Sequence, residues 1–360
     1  MGVPWRILIR VDGSETIGMG HVMRCLTLAR KLAALAGVEP AFLMRDFPAG
    51  VRRAASEGYA VETVPATATP AEEVACLRRW LQHRRVDGLI TDLRGLTPGL
   101  VEEAKAHGVL CATIDEWGSR AITSDLLING TIVPAWHAYT LEGEVQCCFG
   151  PRYALLDDAF VQETPAPRMA SAGRRTVLIA LGGDDPFCLT SKAMRALELV
   201  TEPLAITAVI GPAFLDAQEI RARAARSAHR YEVHENTPAM AQLMRRAEVT
   251  IGGGGLVALE MACAGTAGVI LCEVPHQLET AAVLEQQGAA VSLGFGVAVS
   301  EMEIAGTVQA LLADHERRQA MSSAGPRLVD GRGVERVADA LLHVLTAKHA
   351  GHGSIVPAGR

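Results

Sequence analysis

One grammar, used twice, most constrains this chain: short β-prone runs alternate with helical patterns, and in each half a glycine-rich loop joins a strand to a helix. Such alternation marks parallel sheets covered by helices, because a parallel connection needs a crossover long enough to hold one. Strands are expected at 7–10, 41–44, 61–64, 89–92, 109–114 and 126–128. The pattern restarts with strands at 177–180, 206–210, 231–234, 249–251, 269–271 and 291–293. Between the first two, Val22, Cys25, Leu26, Ala29, Leu32 and Ala33 recur at helical spacing. At 360 residues the chain exceeds one compact core. A proline-, glycine- and small-residue stretch interrupts the pattern near its middle. The expectation is an α/β protein of two doubly wound Rossmann-like domains facing a central cleft: 1–163, a linker at 164–175, 176–347, and a flexible tail at 348–360.

Composition narrows the partners. With 49% hydrophobic and 21% charged residues the chain is globular. A net charge of -6 and the lack of a basic stripe speak against nucleic acid, leaving small molecules or proteins as the expected partners. No apolar run approaches the roughly 20 residues of a membrane span, and the start lacks signal-peptide features. The eight cysteines form no Cys-x-x-Cys pair, which fits buried thiols in a reducing cytoplasm, and no metal-ligand cluster or cofactor motif is visible. Cys25, near His21, reads as core rather than nucleophile.

Two loops carry the chemistry. In the first, Asp12-Gly13-Ser14-Glu15-Thr16-Ile17-Gly18-Met19-Gly20-His21, the glycines permit tight turning and His21 opens a helix. The positive helix end favours an anion nearby and disfavours imidazolium, leaving a neutral base that can accept a proton from water. Helix capping or packing is the equal alternative on spacing alone. In the second, Gly252-Gly253-Gly254-Gly255 could expose consecutive N–H groups to a diphosphate, and Glu260 could accept hydrogen bonds from ribose; a solvated helix-face glutamate is the alternative. His276 and Gln277 follow the strand at 269–271 and could reach the same ligand, although each alone reads as a surface residue. Neither the dinucleotide fingerprint nor a Walker loop is present.

The order of these signals resembles the PseG-like UDP-sugar hydrolases of pseudaminic acid biosynthesis and, more distantly, the MurG glycosyltransferases of the GT-B fold. The match includes Arg10-x-Asp12-x-Ser14, Ile17-Gly18-x-Gly20-His21-x-x-Arg24-Cys25-Leu26, Asp92, Ile114-Asp115, Asp125-Leu126-Leu127-Ile128-Asn129 and Gly150-Pro151-Arg152-Tyr153. It resumes at Leu181-Gly182-Gly183-x-Asp185-Pro186 and ends near Asp330-Gly331-x-Gly333. The resemblance implies a first domain that receives the sugar and supplies His21, with Arg10, Asp12, Ser14, Gly18, Gly20, Arg24, Asp92 and Asn129 as substrate contacts, joined by Gly182 and Gly183 from the second domain. It implies a second domain that grips UDP through Gly252 to Gly255, Glu260, His276 and Gln277. The implied reaction is metal-free hydrolysis of the C1–O bond with inversion, His21 activating water. A MurG-like transferase, with a sugar hydroxyl in place of water, is the alternative reading, and a non-catalytic binder the third. The chain departs from the family where hydroxyl residues and a tryptophan are replaced by Leu256-Val257-Ala258-Leu259 before Glu260. It also departs at Asp115-Glu116 and at His276-Gln277, which leaves the sugar open.

Overall fold

The computed structural model describes residues 4–161 and 175–352 apart from 15, 36, 96, 98, 184, 212, 213, 215 and 216. The chain divides into two compact units, Met1–Leu156 with Arg332–Arg360, and Asp157–Gly331. Of the linker expected at 164–175 only Arg175, the first residue of a strand, lies within the described residues.

The first unit runs β1 (Trp5–Val11), α1 (Gly20–Ala34), β2 (Val38–Arg45), α2 (Pro48–Ser56), β3 (Ala60–Val64), α3 (Pro70–His83), β4 (Gly88–Asp92), α4 (Leu100–Ala106), β5 (Leu110–Ile114), β6 (Ala121–Ile122), β7 (Leu126–Asn129), β8 (Thr140–Leu141) and β9 (Gln146–Phe149). Its main sheet is ordered β3-β2-β1-β4-β5-β7-β9, every pair parallel. All six expected strands are present; β6, β8 and β9 were not foreseen. The two-residue strands β6 and β8 are too short to leave a periodic signal. Helix α1 buries Val22, Cys25, Leu26, Ala29 and Leu32 against Ile7, Ile9 and Val11, the stripe its spacing predicts except for Ala33, which is exposed. A capping box at Thr69 and Glu72, with Pro70 next, fixes the start of α3.

The second unit runs β10 (Arg175–Ala180), α5 (Leu189–Leu197), β11 (Leu204–Ile210), α6 (Ala217–Arg226), β12 (Arg230–Glu235), α7 (Met240–Arg246), β13 (Val249–Gly253), α8 (Leu256–Ala264), β14 (Ala267–Cys272), α9 (Pro275–Gln286), β15 (Ala290–Phe295), α10 (Glu301–Ala313) and α11 (His315–Leu328). Its sheet is ordered β12-β11-β10-β13-β14-β15, again parallel throughout. Val177, Ile179, Ile251 and Val269 form the sheet side of its core, with Leu189, Ala193, Val308 and Leu311 from the helices.

The last helix, α12 (Gly333–His352), corrects the expected division at 347. Val334, Val337, Ala338, Leu341 and Leu345 join the core of the first unit, and Lys348 Nζ donates to the Val109 carbonyl at 3.1 Å. An apolar helical stripe fits either core in sequence; what ties this one to the first unit is long-range packing. The flexible tail expected at 348–360 is helical as far as His352, and 353–360 lie outside the described residues. No described helix is long and apolar enough to cross a membrane.

In each sheet the strand order reverses beside the unit's first strand, between β1 and β4 and between β10 and β13. At such a switch point the neighbouring connections leave in opposite directions and open a crevice at the carboxyl edge. The first holds the loop leading to His21 and the end of β4 at Asp92; the second holds Gly182-Gly183 and Gly252 to Gly255.

Candidate active site

In the first unit His21, in the first turn of α1, meets Asp92, the last residue of β4. His21 Nδ1 lies 2.7 Å from Asp92 Oδ1, and Arg24 holds the same carboxylate through Nε to Oδ2 and Nη2 to Oδ1, both at 2.6 Å. Arg24 Nη2 also lies 2.9 Å from His21 Nδ1. A guanidinium only donates and a carboxylate only accepts, so Nδ1 cannot serve both. A lone pair on Nδ1 would face the carboxylate oxygen, which assigns the proton to Nδ1 and leaves Nε2 as the basic nitrogen.

The charges around this pair are fixed. Burial alone would raise the Asp92 carboxyl, but Arg24 and His21 outweigh it and hold it far below the usual carboxylate range. Arg24 in turn pairs with Glu116 and stays a cation despite its burial. Desolvation, with the adjacent Asp92 charge, pushes the Cys25 thiol well above its ordinary value, against a role as nucleophile.

His21 lines a cavity of about 240 Å³ with Arg10, Asp12, Ile17, Arg45, Phe47, Asp92, Leu93, Arg94, Gly95 and Thr97. The predicted contacts Arg10 and Asp12 are its locked floor. Arg10 gives Asp12 two bonds at 2.7 and 2.8 Å and gives Glu73, from α3, one at 2.5 Å. Asp12 also accepts from the Arg45 backbone at 2.7 Å, and Arg45 Nη2 reaches Glu73 at 3.1 Å. Arg10 and Glu73 are almost wholly buried.

Several other expected substrate contacts shape the loop before His21 or the interior beside it. Ser14 Oγ accepts from the backbone N–H groups of Thr16 and Ile17, tightening the loop. Gly18, at φ 84°, donates its N–H back to the Ser14 carbonyl, a left-handed turn that favours glycine. Gly20 is the first residue of α1, with open space where a Cβ would stand. Asn129 is fully buried and uses its whole capacity internally: Nδ2 donates to the Trp136 carbonyl and the Tyr139 hydroxyl, and Oδ1 accepts from the Thr131 N–H and hydroxyl. No lone pair or hydrogen is left for a substrate, which corrects its assignment as a contact.

In the second unit the glycine run is mostly packing. Gly252, Gly253 and Gly254 are buried, and a Cβ on Gly252 would lie 2.8 Å from Met261 Sδ. The expected row of exposed N–H groups therefore shrinks to Gly255, the N-cap of α8, where no side chain caps the helix and no acid occupies its first turn. Gln277, in the first turn of α9, closes over this loop: a Cβ on Gly254 would stand 2.7 Å from Gln277 Cβ. Gln277 Oε1 accepts from the Glu273 N–H at 2.7 Å. His276 stands beside it, half-buried. The start of α8, at the carboxyl end of β13, has no side-chain cap, which suits its N–H groups to an anion, whereas α9 opens on Pro275, which has no N–H, and the Gln277 N–H donates to the Val274 carbonyl at 3.1 Å. By contrast, Asp185 already accepts from the Leu189 and Thr190 N–H groups at the start of α5, beside Gly182 and Gly183. Glu260 on α8 keeps some exposure, yet desolvation, reinforced by the charge of Asp157, pushes its carboxyl up to about 7.

Glu73, Arg45 and Arg94 belong to the site without having been foreseen, and Glu116, noted in sequence only as a departure from the family pattern, joins it through Arg24. Glu73 reads locally as a helix-start acid, and its partner Arg10 is 63 residues away, so no spacing rule connects them.

No family model matches the sequence. The chain is 28% identical over 333 residues to the spore coat polysaccharide biosynthesis protein SpsG of Bacillus subtilis (strain 168), covering 91% of this chain and 95% of SpsG. Among solved structures it resembles MurG of Acinetobacter baumannii, with a TM-score of 0.71 at 16% identity over 94% of this chain and 100% of MurG. It also resembles CalG4, the calicheamicin glycosyltransferase, with a TM-score of 0.64 at 15% identity over 98% of this chain and 100% of CalG4. The α/β fold with two Rossmann-like units is the GT-B fold.

Proposed function

We propose that this chain is a nucleotide-sugar-dependent enzyme of polysaccharide biosynthesis that transfers a glycosyl group with inversion, His21 acting as base. The observation that carries this reading is the His21–Asp92 pair at the switch point of the first unit, set in the wall of a cavity. An acceptor hydroxyl donates to His21 Nε2. As its oxygen attacks the sugar C1 opposite the leaving group, the proton passes to Nε2 and Asp92 stabilises the imidazolium through Nδ1–H. The bond from C1 to the diphosphate breaks, and the nucleoside diphosphate departs with the electron pair. In the second unit the uncapped start of α8 suits its N–H groups to the diphosphate of a nucleotide, and Glu260 on the same helix is the proposed acceptor for its ribose hydroxyls. The similarity of sequence to SpsG, a polysaccharide biosynthesis protein, and of fold to CalG4, a glycosyltransferase, supports glycosyl transfer.

A second reading, hydrolysis with water in place of the acceptor, is favoured by the loop pattern Ile17-Gly18-x-Gly20-His21-x-x-Arg24. The chemistry at His21 is the same. Release of UDP from a panel of UDP-amino sugars, measured with and without sugar acceptors, separates the two. Release that needs an acceptor identifies transfer; release at full rate in water alone identifies hydrolysis. His21→Ala should lose turnover in either case while still binding UDP, and near-normal turnover in that variant would overturn both.

A further inference from the structure

The charges lining the cavity beside His21 are three arginines and two aspartates. Both aspartates are already satisfied: Asp12 by Arg10 and the Arg45 N–H, Asp92 by Arg24 and His21. Two of the arginines are held as well, Arg10 by Asp12 and Glu73, and Arg45 by Glu73 and the Ala66 carbonyl. Arg94, two residues beyond Asp92 and exposed, has neither a hydrogen bond nor an ion pair among the described residues. The rest of the wall includes the apolar side chains of Ile17, Phe47 and Leu93.

We propose that the molecule whose hydroxyl His21 deprotonates is anionic, a sugar bearing a carboxylate or a phosphate ester, and that Arg94 pairs with that charge in this cavity. This inference rests on the reading of His21 as base. A guest anion meets one uncommitted guanidinium, while the charge of each aspartate on the wall is already offset by an arginine, Asp12 by Arg10 and Asp92 by Arg24. A neutral sugar gains nothing from Arg94 beyond what water supplies. The cavity, about 240 Å³, falls below the ~300–1,000 Å³ of drug-sized sites, which sets its guest at about one monosaccharide ring. Arg94 thus acts as a specificity residue, and its fork can take either anion in a bidentate pair.

The test uses the full chain and its variants Arg94→Gln, Arg94→Lys and His21→Ala, titrated with glucose 6-phosphate, glucuronate and glucose by NMR, and separately with UDP. Wild type should bind at least one of the anionic sugars about 10-fold or more tighter than glucose, the worth of one charge-assisted hydrogen bond. Whichever shows the margin identifies phosphate or carboxylate. Arg94→Gln should remove the margin and Arg94→Lys restore part of it, with UDP affinity unchanged in both. Equal binding of glucose and both anions, or a margin that survives Arg94→Gln, overturns the proposal. So does a fall in UDP affinity in Arg94→Gln, which would assign Arg94 to the donor diphosphate. The margin is read without turnover. Near-normal turnover in His21→Ala would therefore refute the base and leave the anion site standing, whereas a lost margin with an inactive His21→Ala would do the reverse.

Discussion

Asp92 Oδ1 stands 2.7 Å from His21 Nδ1, and the two residues come from different elements, the end of β4 and the first turn of α1, on either side of one switch point. Asp92 therefore sets the tautomer of His21 as well as stabilising the imidazolium. In Asp92→Asn the amide can donate to Nδ1, moving the ring proton to Nε2 and removing the base. Turnover should fall by about 10²–10⁴-fold with UDP affinity intact. Arg24 also loses a buried partner, so the melting temperature should drop. A variant that melts early yet keeps wild-type kcat would show that Asp92 is only structural.

The buried pair of Arg10 and Glu73 gives a prediction of the opposite kind. Removing Glu73 leaves Arg10 without one of its two anionic partners and takes a bond from Arg45. Glu73→Ala should cost about 3–5 kcal/mol in urea unfolding, as breaking one side of a buried ion pair does, while UDP affinity holds in the folded protein. A cost under about 1 kcal/mol would mean that water reaches Arg10 freely and that the floor of the cavity is not locked.

Much of the fold was legible because it is written locally. Val22, Cys25, Leu26, Ala29 and Leu32 repeat at helical spacing whatever lies elsewhere, and both glycine loops mark a strand end and a helix start. His21 was legible for the same reason. Asp92 was expected only as a substrate contact; that it pairs with His21, 71 residues away, shows only once the sheet order brings β1 beside β4. Asn129 shows the reverse error, since a buried asparagine that saturates its own loop reads in sequence like one that greets a ligand. The docking of α12 depends on which core its apolar stripe fills, and periodicity carries no such address.

Gly254 and Gly255 should respond differently to one added methyl group. A Cβ at 254 would lie 2.7 Å from Gln277 Cβ and 3.0 Å from Cys272 Sγ, whereas at 255 its nearest neighbour is Gln277 Nε2 at 3.5 Å, an ordinary contact. Gly254→Ala should displace Gln277 and weaken UDP binding by about 10-fold or more, the cost of one misplaced charge-assisted contact. Gly255→Ala should stay within about 3-fold, roughly 0.7 kcal/mol. Titration with UDP decides, and equal effects would show that Gln277 does not depend on the space at Gly254.

Glu260 couples the second unit to pH near neutrality. Desolvation first, and Asp157 second, raise its carboxyl from 4.5 to about 7 in the folded chain. Between those values the folded state binds more protons than the unfolded one, so this group's contribution to stability falls as pH rises from about 4.5 to about 7 and is flat above. The partial exposure of Glu260 keeps the size to about 1–3 kcal/mol, and Glu260→Gln should flatten that slope in melting curves. Nucleotide binding should run the other way. Ribose hydroxyls donate to the ionised form, so bound nucleotide favours the carboxylate and expels a proton below pH 7. UDP affinity should rise about tenfold between about pH 6 and 8, following the ionised fraction of a group titrating near 7, and lose that dependence in Glu260→Gln. An affinity that is level with pH in the wild type, or a slope unchanged in Glu260→Gln, would remove Glu260 from the nucleotide site.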